Sequence, residues 1–281
     1  MTQAPQTDDL PDLALAPFLV IAFASAWGVF ACFALFPVWI TQTFGPLSGR
    51  HPLFILAVYA PAIAACVLVA RQGGVAALKK FLSRLRLWRA RPAWWAFLLF
   101  GIPAVYLAGS AIKGNLTSYV LPFDNLSAAL SSIGFMLILG PMEELGWRGF
   151  ALPLLQRRLA PIWSSLILGA IWGLWHLPAF LMSGTPQSAW DFSPFVVGAI
   201  AISVILTPLF NSSGGSILVA VLFHFQLNNP LWPDAQPHDS AVFLVVAIIV
   251  ALLNHRTMFS RTAGVTRVIP EAEVCQPQAA C

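Results

Sequence analysis

Ile133-Gly-Phe-Met-Leu-Ile-Leu-Gly140 runs directly into Pro141-Met-Glu-Glu-Leu-Gly-Trp-Arg-Gly-Phe150. The first stretch is apolar enough to lie in a bilayer, and the second sets two adjacent carboxylates against it. A charge near a bilayer centre costs a few kcal/mol, roughly 2.5–3.5 on insertion scales, and is retained where it has work to do. The chain has 11 Asp plus Glu, and nine of them fall in stretches that read as tails or loops. Glu143 and Glu144 are then the acids placed in or against the membrane. If a helix continues through Arg148, Glu144 and Arg148 stand at i, i+4 and pair on one face. Glu143 lies about 100° round the helix, on the face of Trp147, with no cation partner. An ordinary charged helix end facing the cytoplasm accounts for this motif equally well.

Working outward, 58% of the 281 residues are hydrophobic and 9% charged, and mean hydropathy is +0.78. Soluble domains carry about 25% charged residues, so the chain reads as an integral, multi-pass membrane protein. Runs that span or nearly span a bilayer fall at about 17–40, 53–70, 94–112, 126–145, 162–182, 194–211, 216–229 and 240–254. The fold class is all-α, a bundle of about eight helices, or six or seven full spans with a re-entrant piece. Residues 1–16 read as a disordered, acidic N-terminal tail without the basic start of a signal peptide. Residues 17–254 form a single membrane-embedded domain, and 255–281 a flexible C-terminal tail. The four cysteines show neither metal nor redox spacing, and Gln278-Ala-Ala-Cys281 is not a prenylation box.

Loop charge sets the orientation. With a cytoplasmic N-terminus and eight crossings, thirteen of the 15 basic residues are cytoplasmic, and Arg50 and Lys113 stand outside. The positive-inside rule favours that orientation, with both termini cytoplasmic. The loop 71–93 alternates apolar and basic residues without an acid, which suits an amphipathic helix on anionic lipid rather than a nucleic-acid patch.

Two further segments bring polar groups to membrane depth. Trp172 and His176 stand at i, i+4 with Pro178 just beyond, and His224 and Asn228 stand at i, i+4 before Pro230. A packing histidine and a helix-ending Asn are the ordinary readings of each alone. Intramembrane polar groups face inward and pair with one another, so the three segments should converge in one cavity. Glu143 with His176 suits holding and deprotonating a water, while His224 and Asn228 suit donation to the oxyanion of a peptide carbonyl. The same Glu/His/His set is also a ligand set for a divalent metal such as zinc. No Ser or Cys lies near a candidate base in these motifs, which disfavours a covalent nucleophile.

Glu143-Glu144-x-x-x-Arg148, Trp172-x-x-x-His176 and His224-x-x-x-Asn228, in this order, resemble the motifs of the CPBP intramembrane proteases. That family includes CAAX prenyl endopeptidases of the Rce1 type and bacterial Abi, bacteriocin-immunity-like proteins. The resemblance covers about 126–254, and Trp172 replaces the Phe that commonly begins the second motif. It implies a helical bundle with a conical cavity opening toward the cytosol and cleavage near the cytoplasmic membrane face. It further implies that Glu143 and His176 position the catalytic water, Glu144 and Arg148 support them, and His224 and Asn228 form the oxyanion site. The expected function is an intramembrane endopeptidase acting on a peptide or membrane protein, in the plasma membrane of a bacterium. Glutamate-type and metal-dependent hydrolysis both stay open. The alternative is a non-proteolytic scaffold or immunity-type binding protein using the same polar cavity. A proton-coupled transporter would favour two related halves with broken helices, and no such repeat is visible.

Overall fold

The computed structural model describes residues 9–271, and among them all regular structure is helical. Nine helices matter here: α1 (Leu15–Leu35), α2 (Pro37–Phe44), α3 (Pro52–Ser83), α4 (Pro92–Lys113), α5 (Leu126–Gln156), α6 (Pro161–Trp175), α7 (Phe192–Ser212), α8 (Ile217–Leu227) and α9 (His238–Leu253). α1, α3, α4, α5 and α7 are long and apolar enough to cross a membrane, and α6, α8 and α9 are shorter apolar helices. The eight expected segments are thus all helices, in a polytopic bundle. Expected boundaries moved where proline intervenes: Pro37 starts a separate short helix, and Pro178 follows the end of α6.

α7 packs against α6 and α9, α1 against α3, and α4 against α9. Side chains such as Val20, Leu99, Phe100, Ile112, Ile248 and Leu252 point outward and stay exposed, the belt a bilayer covers. α5 changes its winding twice. It is α-helical to Ile138, tightens to a 3₁₀ turn over Gly140–Glu143, and widens to a π turn over Trp147–Ala151. Irregular backbone at membrane depth is tolerated where protein or a cavity surrounds it. The freed carbonyl groups are satisfied here: Tyr59 Oη donates to Ile138 O (2.6 Å) and Tyr106 Oη to Leu227 O at the end of α8 (2.7 Å). Gly146 allows α3 to approach, since a Cβ there would lie 2.6 Å from the Pro61 carbonyl.

The bundle has two unlike ends. At one, Arg84 is buried and donates to the Gly215 (2.8 Å), Gly149 (2.9 Å) and Val268 (3.1 Å) carbonyls. Asp9 accepts there from Arg157 Nη2 (2.6 Å) and the backbone N–H groups of Leu10 (2.9 Å) and Ile269 (3.0 Å). Asp12 pairs with Arg157 (3.0 Å) and Arg158 (3.1 Å). Three expectations change. The flexible tail expected at 255–281 has a fixed course as far as Glu271, because Val268 and Ile269 are buried and backbone-bonded to Asp9. The disordered stretch expected at 1–16 likewise joins this knot from Asp9 onward; residues 1–8 and 272–281 lie outside the described residues. Arg84 faces protein carbonyls instead of lipid, and the 71–93 segment turns at Gly73–Gly74. Asp9→Ala should lower unfolding stability in detergent by about 1.5–3 kcal/mol, the scale of charged hydrogen bonds; an unshifted melt would show the knot to be idle.

The opposite end carries the loops 45–51, 114–125, 183–191 and 229–237. Lys113 pairs with Asp234 (2.6 Å), and Tyr119 Oη donates to Leu231 O (3.1 Å). Apart from Arg148, which pairs within the bundle, the basic residues expected in the cytoplasm belong to the first end or to the chain leading from it.

Candidate active site

α5 brings the two carboxylates into different surroundings. Glu144 is fully buried and accepts from Arg148 Nη1 through both oxygens, at 2.8 and 3.1 Å. Its Oε1 also lies 2.7 Å from His224 Nδ1. Arg148 is equally buried, its guanidinium 4.9 Å from the centre of the Trp172 ring. The i, i+4 spacing survives the π turn, so the expected Glu144–Arg148 pair forms, and it recruits a third partner from α8. Among the described residues Glu143 has no cation partner, as expected, and it gains a donor from another helix. It keeps the expected neighbour Trp147, whose side chain acts on the carboxyl, and in addition accepts from the Trp172 indole through Oε2 (2.9 Å). The partner that the sequence did not offer, Trp172, comes from α6. Trp147 is buried against Phe18 and Trp175.

His176 ends α6, and its Nδ1 lies 2.8 Å from the Trp172 carbonyl. A carbonyl only accepts, so Nδ1 carries the hydrogen and Nε2 keeps its lone pair. Trp172 stands edge-on to both His176 and His224, each ring centre 5.5 Å away. His224 is fixed the same way, Nδ1 toward Glu144 and Nε2 turned toward Gly140. A Cβ added at Gly140 would overlap Asn228 Nδ2 and stand 3.3 Å from His224 Nε2. Those two nitrogens therefore converge on one spot beside the Gly140 backbone.

Glu143, Trp172, His176, His224 and Asn228 line one cavity of about 780 Å³, while Glu144 and Arg148 lie behind its wall. Asp239, Tyr106 and Gly140 also line it, and sequence reading passed over them. Asp239 had been placed in a loop one residue short of the eighth segment, yet it is buried in the first turn of α9. Among the described residues, no three His, Cys, Asp or Glu side chains are grouped so as to hold a metal ion.

Gly140→Ala should cut turnover by about 10²-fold, the scale of losing one oxyanion donor, because its Cβ displaces Asn228 Nδ2. Turnover equal to wild type would remove Asn228 and His224 from the reaction.

The cavity lining settles a further point. It includes Ser48, Arg50, Gln187, Trp190, Trp232 and Gln236 from the loops of the second end. The cavity opening, which the resemblance implied to be cytosolic, and the basic loops, which the charge pattern assigned to the cytoplasm, are therefore at opposite ends of the bundle.

Residues 125–229 match the model of a family described as type II CAAX prenyl endopeptidase Rce1-like. Among curated proteins, CAAX prenyl protease 2 of Methanococcus maripaludis is 27% identical, the match covering 76% of this chain and 86% of that protein. The matched family segment contains every one of the six motif residues.

Proposed function

Taking as premise that this chain carries the Rce1-like CAAX prenyl endopeptidase segment over 125–229, we propose that it hydrolyses peptide bonds inside the bundle with Glu143 as general base. The family supports an intramembrane endopeptidase in general; the roles of individual residues are our reading. The observation that carries it is the division of labour between adjacent carboxylates. Glu144 has its charge committed to Arg148 and His224 behind the wall, whereas Glu143 faces the cavity.

A water accepted between the Glu143 carboxylate and His176 Nε2 loses its proton to Glu143 as its oxygen bonds the carbonyl carbon. The carbonyl oxygen gains the electron pair and lies against Asn228 Nδ2 and His224 Nε2. For Nε2 to donate, the His224 ring must be cationic, and Glu144 supplies the counter-charge at Nδ1. Collapse returns the pair, breaks the C–N bond, and the proton passes from Glu143 to the leaving amine. In this reading no step runs through a metal ion. Hydrolysis by purified protein should be unchanged by a chelator; loss on chelation with recovery on adding zinc would overturn this mechanism.

Substrate chemistry follows the cavity, whose volume of about 780 Å³ gives room for a short stretch of peptide. Exposed Lys79, Arg86, Arg89 and Arg91 accompany exposed Val75, Leu87 and Trp88, which suits a seat on anionic headgroups at about 1 kcal/mol per basic residue. Replacing the four basic residues by Gln should abolish any dependence of activity on anionic lipid in reconstituted vesicles. A wild type indifferent to lipid charge would rule this seat out.

A further inference from the structure

We infer that the cavity receives its substrate from the side of the membrane opposite the basic loops, the outer face of a plasma membrane, so that the peptide cut is a segment exposed on that face. This rests on the proteolytic reading above and adds the substrate's side. Three observations carry it.

The first is where the lining comes from. Ser48, Gly49 and Arg50 precede α3, Gln187 and Trp190 precede α7, and Trp232–Gln236 precede α9. All belong to the end that holds Arg50 and Lys113. No residue of 71–93, 148–161, 212–216 or 254–271 lines the cavity.

The second is what closes the other side. Between Glu143 and the basic end lie Phe18, Trp147, Phe150, Leu152, Phe210 and Ile217, all fully buried. Phe18 stacks on Phe150 with ring centres 4.9 Å apart and meets Trp147 edge-on at 5.6 Å. A peptide arriving from the basic side meets this plug, and close-packed interiors offer no path for a chain.

The third is charge. Arg71, Lys79 and Lys80 lie in the last part of α3 and Arg84, Arg86, Arg89 and Arg91 follow it, Arg157 and Arg158 follow α5, and Arg256, Arg261 and Arg267 follow α9. Such asymmetry in short loops holds that end in the cytoplasm. The cavity mouth then faces outward, which reverses the opening that the resemblance implied. A cytosolic C-terminus would have to cross the membrane to reach Glu143, whereas an exported peptide or an outward loop would not.

The test uses the full chain with its four cysteines replaced by Ser. Ser48→Cys marks the mouth and Thr262→Cys the basic end, both at exposed positions. In intact cells a membrane-impermeant maleimide should label Ser48→Cys, and Thr262→Cys only after permeabilisation. The reverse pattern, or labelling of both before permeabilisation, overturns the inference. A second arm adds an impermeant peptide to right-side-out and to inverted vesicles bearing the wild type. Cleavage in right-side-out vesicles alone supports the inference, and cleavage in inverted vesicles alone refutes it. Cleavage in neither, with outward labelling intact, overturns the hydrolase and leaves the outward opening standing.

Discussion

Glu143→Gln lowers kcat for peptide cleavage by about 10²–10⁴-fold, the usual contribution of a positioned general base, and leaves KM nearly unchanged. The amide keeps the shape of the side chain, and its oxygen still accepts from the Trp172 indole. Substrate contacts elsewhere in the cavity persist, so the loss falls on the chemical step and not on binding. The equivalent change next door acts differently. Glu144 touches no cavity space; Glu144→Gln removes the counter-charge of His224 and unpairs Arg148, so both turnover and stability fall. Steady-state kinetics beside thermal melts separate the two variants. Equal kcat for wild type and Glu143→Gln would remove Glu143 from the proton transfer.

Arg148→Met has the largest expected effect on stability, a loss of about 3–5 kcal/mol, the cost of leaving a buried charge without its partner. Both members of the pair are fully buried, and Glu144 would keep only His224 Nδ1. The arginine also covers the face of Trp172, whose indole holds Glu143, so the variant disturbs the base through its support. The double variant Arg148→Met/Glu144→Gln removes both charges and should recover much of the lost stability, though not activity. Unfolding of both proteins in the same detergent checks this. A double variant no more stable than the single one would show that packing, not the unpaired carboxylate, sets the loss.

Much of this architecture can be read without coordinates. The eight apolar segments are visible because bilayer thickness fixes the length of run that can cross it. Glu144 with Arg148, and Trp172 with His176, were legible for a related reason: i, i+4 neighbours meet on any helix face. The partner of Glu143 was not legible. Trp172 comes from another helix, α6, and no spacing within Ile133–Phe150 encodes that contact. Asp239 was missed because hydropathy marks the start of an apolar run, whereas α9 begins in the polar residues before it. The knot around Asp9 joins residues nearly the whole chain apart, beyond the reach of any local pattern. The conflict between a cytosolic opening and cytoplasmic basic loops became visible only once both were seen on the same bundle.

Hydrolysis distinguishes this chain from a scaffold that binds in the same cavity. The direct measurement incubates the purified protein with a panel of peptides in the presence of a chelator. It records binding for each peptide and then analyses it by mass spectrometry. Peptides that bind the wild type should be recovered cut at one bond, and those bound to Glu143→Gln should be recovered whole. Peptides that bind the wild type and are all recovered intact would contradict the assignment of Glu143 as a hydrolytic base.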